Sequence, residues 1–414
     1  MEYNRLVPQD SFMGRFLSYM ESQETAYAYD WWCGLWCISA ACARAVHVAR
    51  PRAPIYLNMY VILVGDSGVV RKTTSVHNSS RLVRSLLHSY PELHLLDAKL
   101  TPEKLDELLH TQTINHGTAQ LCITVSELAV FLGTERYIAH MPTLLTDLYD
   151  CPDARDGGGT ITRGSVTQRK VWVHFLSAST PIWLLKTVNP NVVEGGFTSR
   201  CYFVVANEPK RRVPWPSEPD AALYGDLCDD LRIIAQEARQ HPEIGITPEA
   251  LRMFTDWYEI RPRSIDPYKQ SFEAREDAHV LRVAALLAIN EGEWLIHRSH
   301  VEQAVVVVTA VKDSSARIFD RAEVTSKFAL GLDVLRTHLI NTGMTPMSRA
   351  HLYLKVRQHL TNADFLNLLE VLDHMGAIQR FEFRGNRGRP TDYIRGTQLL
   401  LDRKIGEHVI ERFT

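Results

Sequence analysis

With 414 residues, 45% of them hydrophobic and 23% charged, the chain has the material for a large buried core and excludes a disordered chain. A formal net charge of −2 excludes global attraction to nucleic acid, so any such contact must come from local basic patches. No secretory leader is readable near Met1, and the densest apolar run, Trp31 to Ala43, is too short for a membrane span; a buried helix, no membrane partner and a cytoplasmic location are expected.

The seven cysteines are an odd number with no C-x-x-C pair. Cys33 and Cys37, four apart in the Trp-rich run, read as small hydrophobes in a reducing compartment, and no structural zinc is expected.

In chain order, residues 1–54 read as a helical N-terminal segment. Ile55 to Val64 is nearly all apolar and β-rich, the pattern of a central parallel strand covered on both faces. A glycine-containing loop and a helix over 75–90 follow. Leu93 to Ala98 predicts a strand, Thr101-Pro102-Glu103 a capped helix start, and Gln120 to Val125 another strand. Leu128 to Phe131 and Pro142 to Leu148 read as helical; Thr160 to Arg163 and Lys170 to Leu176 flank a turn, and Cys201 to Val205 is a further strand. Alternation of this kind predicts an α/β core with a mostly parallel sheet over 55–208. Helices Pro248 to Tyr258, Ala274 to Ile289 and His300 to Ile318 make residues 209–325 a helical lid, and 326–414 form a separate terminal unit.

Chemistry concentrates at Gly65 to Thr74, G-D-S-G-V-V-R-K-T-T, between a buried strand and a helix. A triphosphate needs main-chain amides aimed inward, which Gly65, Ser67 and Gly68 allow the loop to offer. Lys72 then reaches the terminal phosphates, Thr73 holds Mg²⁺, and Arg71 and Thr74 complete the loop. Arg71 stands where the usual pattern has glycine, and the loop is one residue longer; an alternative register gives Arg71 the lysine's role.

Downstream, the apolar strand Leu121 to Val125 ends in Ser126-Glu127. Glu127 reads as the carboxylate that polarises the attacking water, or as a helix-capping Glu at a strand end, and Ser126 takes the metal-side position where Asp is usual. Val171 to Pro181 ends in hydroxyls, of which Thr180, or Ser179 beside it, contacts the terminal phosphate or satisfies a turn. Arg200, after Gly195-Gly-Phe-Thr-Ser199, reads as a finger reaching a neighbouring subunit's nucleotide, or as half of a surface ion pair. Arg282 is a second-sensor candidate, with an interhelical salt bridge as its alternative.

Together these motifs resemble phage- and plasmid-encoded P-loop ATPases associated with helicases and primases, related to AAA+ enzymes and similar in order to the minichromosome-maintenance branch. The resemblance implies an AAA+-like P-loop NTPase fold. It makes Lys72 and Thr73 the Walker A pair, Glu127 the Walker B glutamate, Thr180 the first sensor and Arg200 the finger. It also implies a DNA-facing hairpin over Thr160 to Lys170, with Arg163, Arg169 and Lys170 near its tip.

Beyond 326, Ser348 and Asn362 read as helix caps, and a hairpin from Ala377 to Arg395 carries Arg384, Arg387 and Arg389 on its turn. That is a winged-helix layout, with the wing contacting phosphates. Asn367, Glu370, Asp373 and His374 make a poor recognition surface, so protein contact is the alternative. The expectation is an ATP- and Mg²⁺-dependent DNA motor, a replicative helicase of a mobile element. It would work as a homo-oligomeric ring, expected as a hexamer, on single-stranded or forked DNA, with a separate primase or initiator. A nucleotide-switched regulator and a helicase loader or initiator are the alternatives.

Overall fold

Val61 and Leu63 face the same apolar cluster as Trp32 and Trp36, whereas Tyr60 stacks edge-on against Tyr149 and Phe175. This strand is covered on both faces, as its unbroken apolar run predicts. In the computed structural model, residues 7–51, 53–98, 100–132, 140–157, 166–181, 183–184, 196–215, 217, 220–264, 267–383 and 391–401 are described. The chain forms two compact units, Met1–Ala316 and Arg317–Thr414.

The first unit opens with α1 (Phe12–Met20) and α2 (Tyr27–Cys42), followed by β1 (His47–Val48), β2 (Ile55–Tyr56) and β3 (Tyr60–Val64). Then come α3 (Lys72–Arg84), β4 (Leu93–Leu96), α4 (Pro102–His116), β5 (Ala119–Val125), α5 (Leu128–Leu132) and α6 (Met141–Tyr149). The hairpin β6 (Ala154–Gly157) and β7 (Val166–Arg169) leads into β8 (Val171–Ser179) and β9 (Cys201–Val205). After these lie α7 (Ala221–Gln240), β10 (Glu243–Ile246), α8 (Pro248–Ile260), α9 (Pro267–Glu273), α10 (Glu276–Asn290), β11 (Leu295–Ile296) and α11 (Arg298–Asn341), whose residues from Arg317 onward belong to the second unit.

The core is a five-stranded sheet in the order β4-β5-β8-β3-β9, parallel throughout. All nine residues of β8 are buried, as are all five of β3. Trp31, Trp32 and Trp36 of α2 are fully buried against this sheet and its helices, each such side chain contributing about 1.5–3 kcal/mol.

The single strand expected over Ile55 to Val64 is two. Asn58 is the cause: its buried amide donates to the carbonyls of Tyr149 (2.9 Å) and Val173 (3.2 Å), and Ser39 donates to the Leu57 carbonyl. β2 therefore pairs antiparallel with β1 in a second sheet, β11-β10-β1-β2, so the first 54 residues contribute a strand as well as helices. The basic hairpin also differs from expectation, because its arms pair from Ala154↔Arg169 to Gly157↔Val166. Arg169 and Lys170 lie at its base, where the Lys170 amide closes onto the Asp153 carbonyl at 2.8 Å. Arg163 lies outside the described residues.

In the second unit, α12 (Arg349–Val356) and α13 (Asn362–His374) precede a hairpin of β13 (Ile378–Phe383) and β14 (Thr391–Gly396), with β12 (Met347–Ser348) completing a sheet ordered β12-β14-β13. Ser348 caps α12 as expected. Thr361, not Asn362, caps α13, in a reciprocal box with Asp364. Leu352, Phe365, Leu368, Leu372 and Ile394 form this unit's own core. Arg384, Arg387 and Arg389 lie outside the described residues.

Among the described residues no helix is long and apolar enough to cross a membrane. None of their His, Cys, Asp or Glu side chains gather in threes as a metal site. All seven cysteines are free and buried.

Candidate phosphate-binding site

β3 is flanked by β8 and β9, and its chain leaves the sheet between their ends. The Gly65 amide donates to the Ser179 carbonyl (3.3 Å) and the Ala206 amide to the Val64 carbonyl (3.1 Å). A Cβ at Gly65 would lie 2.5 Å from the Tyr29 hydroxyl and 2.6 Å from the Ala206 carbonyl, so only glycine fits. Gly68 turns the exposed loop at φ +78°, with open space where a side chain would stand. Val70 is buried beneath it as a plug. Arg71 adopts φ +42° immediately before α3, and the Thr74 amide returns to its carbonyl at 2.9 Å.

Lys72 begins α3 and curls back over the loop. Its ammonium donates to the carbonyls of Gly65 (2.6 Å) and Asp66 (2.9 Å). Partial burial lowers its pKa, and the Asp66 charge opposes that shift. Arg71 instead lies over half exposed, its Nε 3.6 Å from the Glu24 carboxylate. Of the two cations, Lys72 is the one placed across the loop.

Beside the loop runs a cleft of about 290 Å³ that brings Thr73 of α3 together with Thr124 and Ser126 at the end of β5. Its remaining wall includes His77, Arg81, Arg84 and Asp97. Glu127 follows Ser126 and is exposed. Between β5 and β3, β8 ends at Ser179. The Thr180 hydroxyl beyond it accepts from the Trp183 amide at 3.3 Å, which satisfies a turn. Gly65, Ser67, Gly68, Arg71, Lys72, Thr73, Thr74, Ser126, Glu127 and Thr180 thus gather at one end of the sheet.

Two arginines do not. Arg200 precedes Cys201, which pairs with Tyr60 at the far end of β3 from the loop. Its guanidinium donates to the Gly196 carbonyl (2.9 Å) and to Asp150 (3.1 Å), and its side chain is 10% exposed. Arg282 of α10 is also at that end, donating to the Tyr56 carbonyl (2.9 Å) and the Tyr149 hydroxyl (2.7 Å). It can therefore not serve its own chain's loop as a second sensor. Neither does it make an interhelical salt bridge, since its partners are neutral oxygens.

A brace behind the loop was not anticipated. Tyr29 of α2 donates to the Val64 carbonyl at 2.7 Å. Asp30 beside it is completely buried and accepts from Thr25 (2.6 Å), Ser75 (2.9 Å) and Lys210 (2.8 Å). A carboxylate at the head of a Trp-rich run was the available signal, because a buried charge needs a partner.

No protein-family model matches the chain, and no curated protein matches it. Among solved structures it is similar to a full-length MCM homolog from Methanopyrus kandleri, at 15% identity and a TM-score of 0.40. The likeness covers 75% of this chain and 61% of that one, so the chain spans less than two thirds of that protein's length.

Proposed function

We propose that this chain binds and hydrolyses ATP at the Gly65–Thr74 loop and uses it to drive a DNA motor, as a replicative helicase of a mobile element would. The observation that carries the reading is Lys72. A cation folded onto the carbonyls of its own loop, at the end of the strand between β8 and β9, is poised to exchange those weak acceptors for phosphate oxygens. Gly65 leaves a cradle that a Cβ would fill. Thr73 and Ser126 offer neutral oxygens on one cleft, a donor set suited to Mg²⁺ if its remaining ligands are phosphate oxygens and water. The bound metal would supply charge neutralisation. Glu127 is the residue to orient water, and Thr180 a polar contact beside it.

Arg200 lies at the opposite end of the sheet from its own loop, so as a finger it must serve another protomer. A head-to-tail ring provides that arrangement. The second unit's two helices and hairpin support a winged helix whose turn, with Arg384, Arg387 and Arg389, contacts backbone phosphate. Arg169 and Lys170 would reach DNA only from the hairpin base.

ATP turnover measured with and without single-stranded DNA tests the reading. A motor accelerates on DNA, and Lys72→Ala abolishes nucleotide binding; unchanged affinity in that variant would move the phosphate site elsewhere. Two observations favour a slower nucleotide-operated switch: Arg200 is tied down by Asp150, and Ser126 brings no charge to the metal side. Tight binding with turnover indifferent to DNA would select it.

A further inference from the structure

At the end of the sheet away from the phosphate loop lies a cavity of about 220 Å³, whose lining includes Arg50, Arg275, Arg282, Asn58 and Asp150. Arg282 is only 4% exposed. Its partners are the Tyr56 carbonyl and the phenols of Tyr149 and Tyr202, and among the described residues no carboxylate pairs with it. Asp150 is already shared, with Arg200 at 3.1 Å and Arg275 at 3.0 Å. Arg50 is held by Asp277 at 3.2 Å. The cavity wall therefore carries three guanidiniums and one carboxylate, with its deepest cation uncompensated.

A buried charge without a counter-charge is costly in a folded protein, and cations in such settings recruit anions. Two further observations point the same way. His279 is held neutral by burial, reinforced by the positive field of Arg282, Arg275 and Arg200. Asn58 is fully buried and its carboxamide oxygen has no hydrogen-bond partner. That oxygen calls for a donor beside the anion, which a protonated oxyanion or its attendant water provides.

The geometry points to a second anion site here, taking a phosphate-type oxyanion between Arg282 and Arg275 with Arg50 at the rim. A hydrogen phosphate matches both demands, accepting from the guanidiniums while donating to Asn58. The ligand is free oxyanion from solution. The site is built from residues remote from the Gly65–Thr74 loop and stands independently of what that loop binds.

Thermal unfolding of the full chain carrying Lys72→Ala, with sodium pyrophosphate against chloride at equal ionic strength, tests it. Pyrophosphate at ten times its Kd raises Tm by about 2 °C. Adding Arg275→Gln or Arg50→Gln should cut that rise by half or more, and Arg282→Gln should abolish it if that variant folds. A rise independent of protein concentration shows free oxyanion bound within one chain and supports the site. No rise, or a rise that survives both rim variants, overturns it. Wild-type ATP binding measured in parallel separates this result from the fate of the loop.

Discussion

Asp30, sealed inside α2, accepts a hydrogen bond at 2.9 Å from Ser75, in the first turn of the helix that follows the phosphate loop. One residue earlier, the Tyr29 hydroxyl holds the Val64 carbonyl at the loop's other end. Adjacent residues of one helix thus pin both ends of the loop, and Lys210 balances the charge that this requires. Removing one partner of so buried a pair costs about 3–5 kcal/mol, whereas replacing both by apolar groups of similar volume is close to neutral. Asp30→Asn should lower urea stability by that amount, and Asp30→Leu with Lys210→Met should recover most of it. Equal loss in the single and double variants would show that the pair does not carry the energy.

Gly65 and Gly68 separate the two uses of glycine in the loop. At Gly65 a methyl group meets the Ala206 carbonyl at 2.6 Å, and a strand-end backbone cannot retreat cheaply. Gly65→Ala should weaken nucleotide binding by at least about tenfold, or 1.4 kcal/mol, and Tyr29→Phe should not rescue it. At Gly68 the space is open and only φ +78° resists a side chain, so Gly68→Ala should cost about 1 kcal/mol of stability. Calorimetric titration and denaturation of both variants check this; equal behaviour would sink the distinction.

Arg200 makes the sharpest claim on assembly. Held by Asp150 and Gly196, it is remote from its own loop, so a catalytic effect has to cross between chains. Arg200→Ala should leave nucleotide binding intact and cut hydrolysis by roughly 10³. Mixing it with Glu127→Gln should restore part of the activity at mixed interfaces. Absence of any rescue would argue that the sites are not shared.

The wing can be tested by salt. Removing one cation that neutralises a phosphate flattens the dependence of log affinity on log salt by about 0.7–0.9. Replacing Arg384, Arg387 and Arg389 by alanine should therefore reduce the slope by about 2. An unaltered slope assigns that turn to protein contacts.

Much of the core was legible because its signals are local. A buried β-rich run, a glycine loop with Lys72 and Thr73, and a capped helix at Thr101 each announce themselves within a dozen residues. What escaped depends on distant partners. Asp30 meets Ser75 across 45 positions and Lys210 across 180, so nothing near it in the sequence reveals its role. Arg282 is fixed by Tyr149 and Tyr56, 133 and 226 positions away. The split of Ile55 to Val64 hung on Asn58, the lone polar residue in an apolar run, whose effect appears only once Tyr149 and Val173 supply carbonyls.

His174 and His279 set an acid limit on the fold. His174 accepts from the Met59 amide through Nδ1 at 2.8 Å, which fixes the neutral tautomer with Nε2–H facing the Trp36 carbonyl at 2.9 Å. Burial is the first cause of its pKa falling to about 3, and the two backbone contacts oppose it only in part. His279 falls to about 3 as well, through burial first and then Arg282. In the unfolded chain both protonate near pH 6.5, whereas the folded chain takes up neither proton until about pH 3. The neutral rings' contribution is thus complete above pH 6.5 and is lost as pH falls toward 3, by about 1.4 kcal/mol per pH unit for each histidine. Urea midpoints taken from pH 7 to pH 5 should fall accordingly, and the slope should be shallower in His174→Gln. A midpoint that is flat across this range would mean that these rings exchange protons with solvent in the folded state, contrary to their burial.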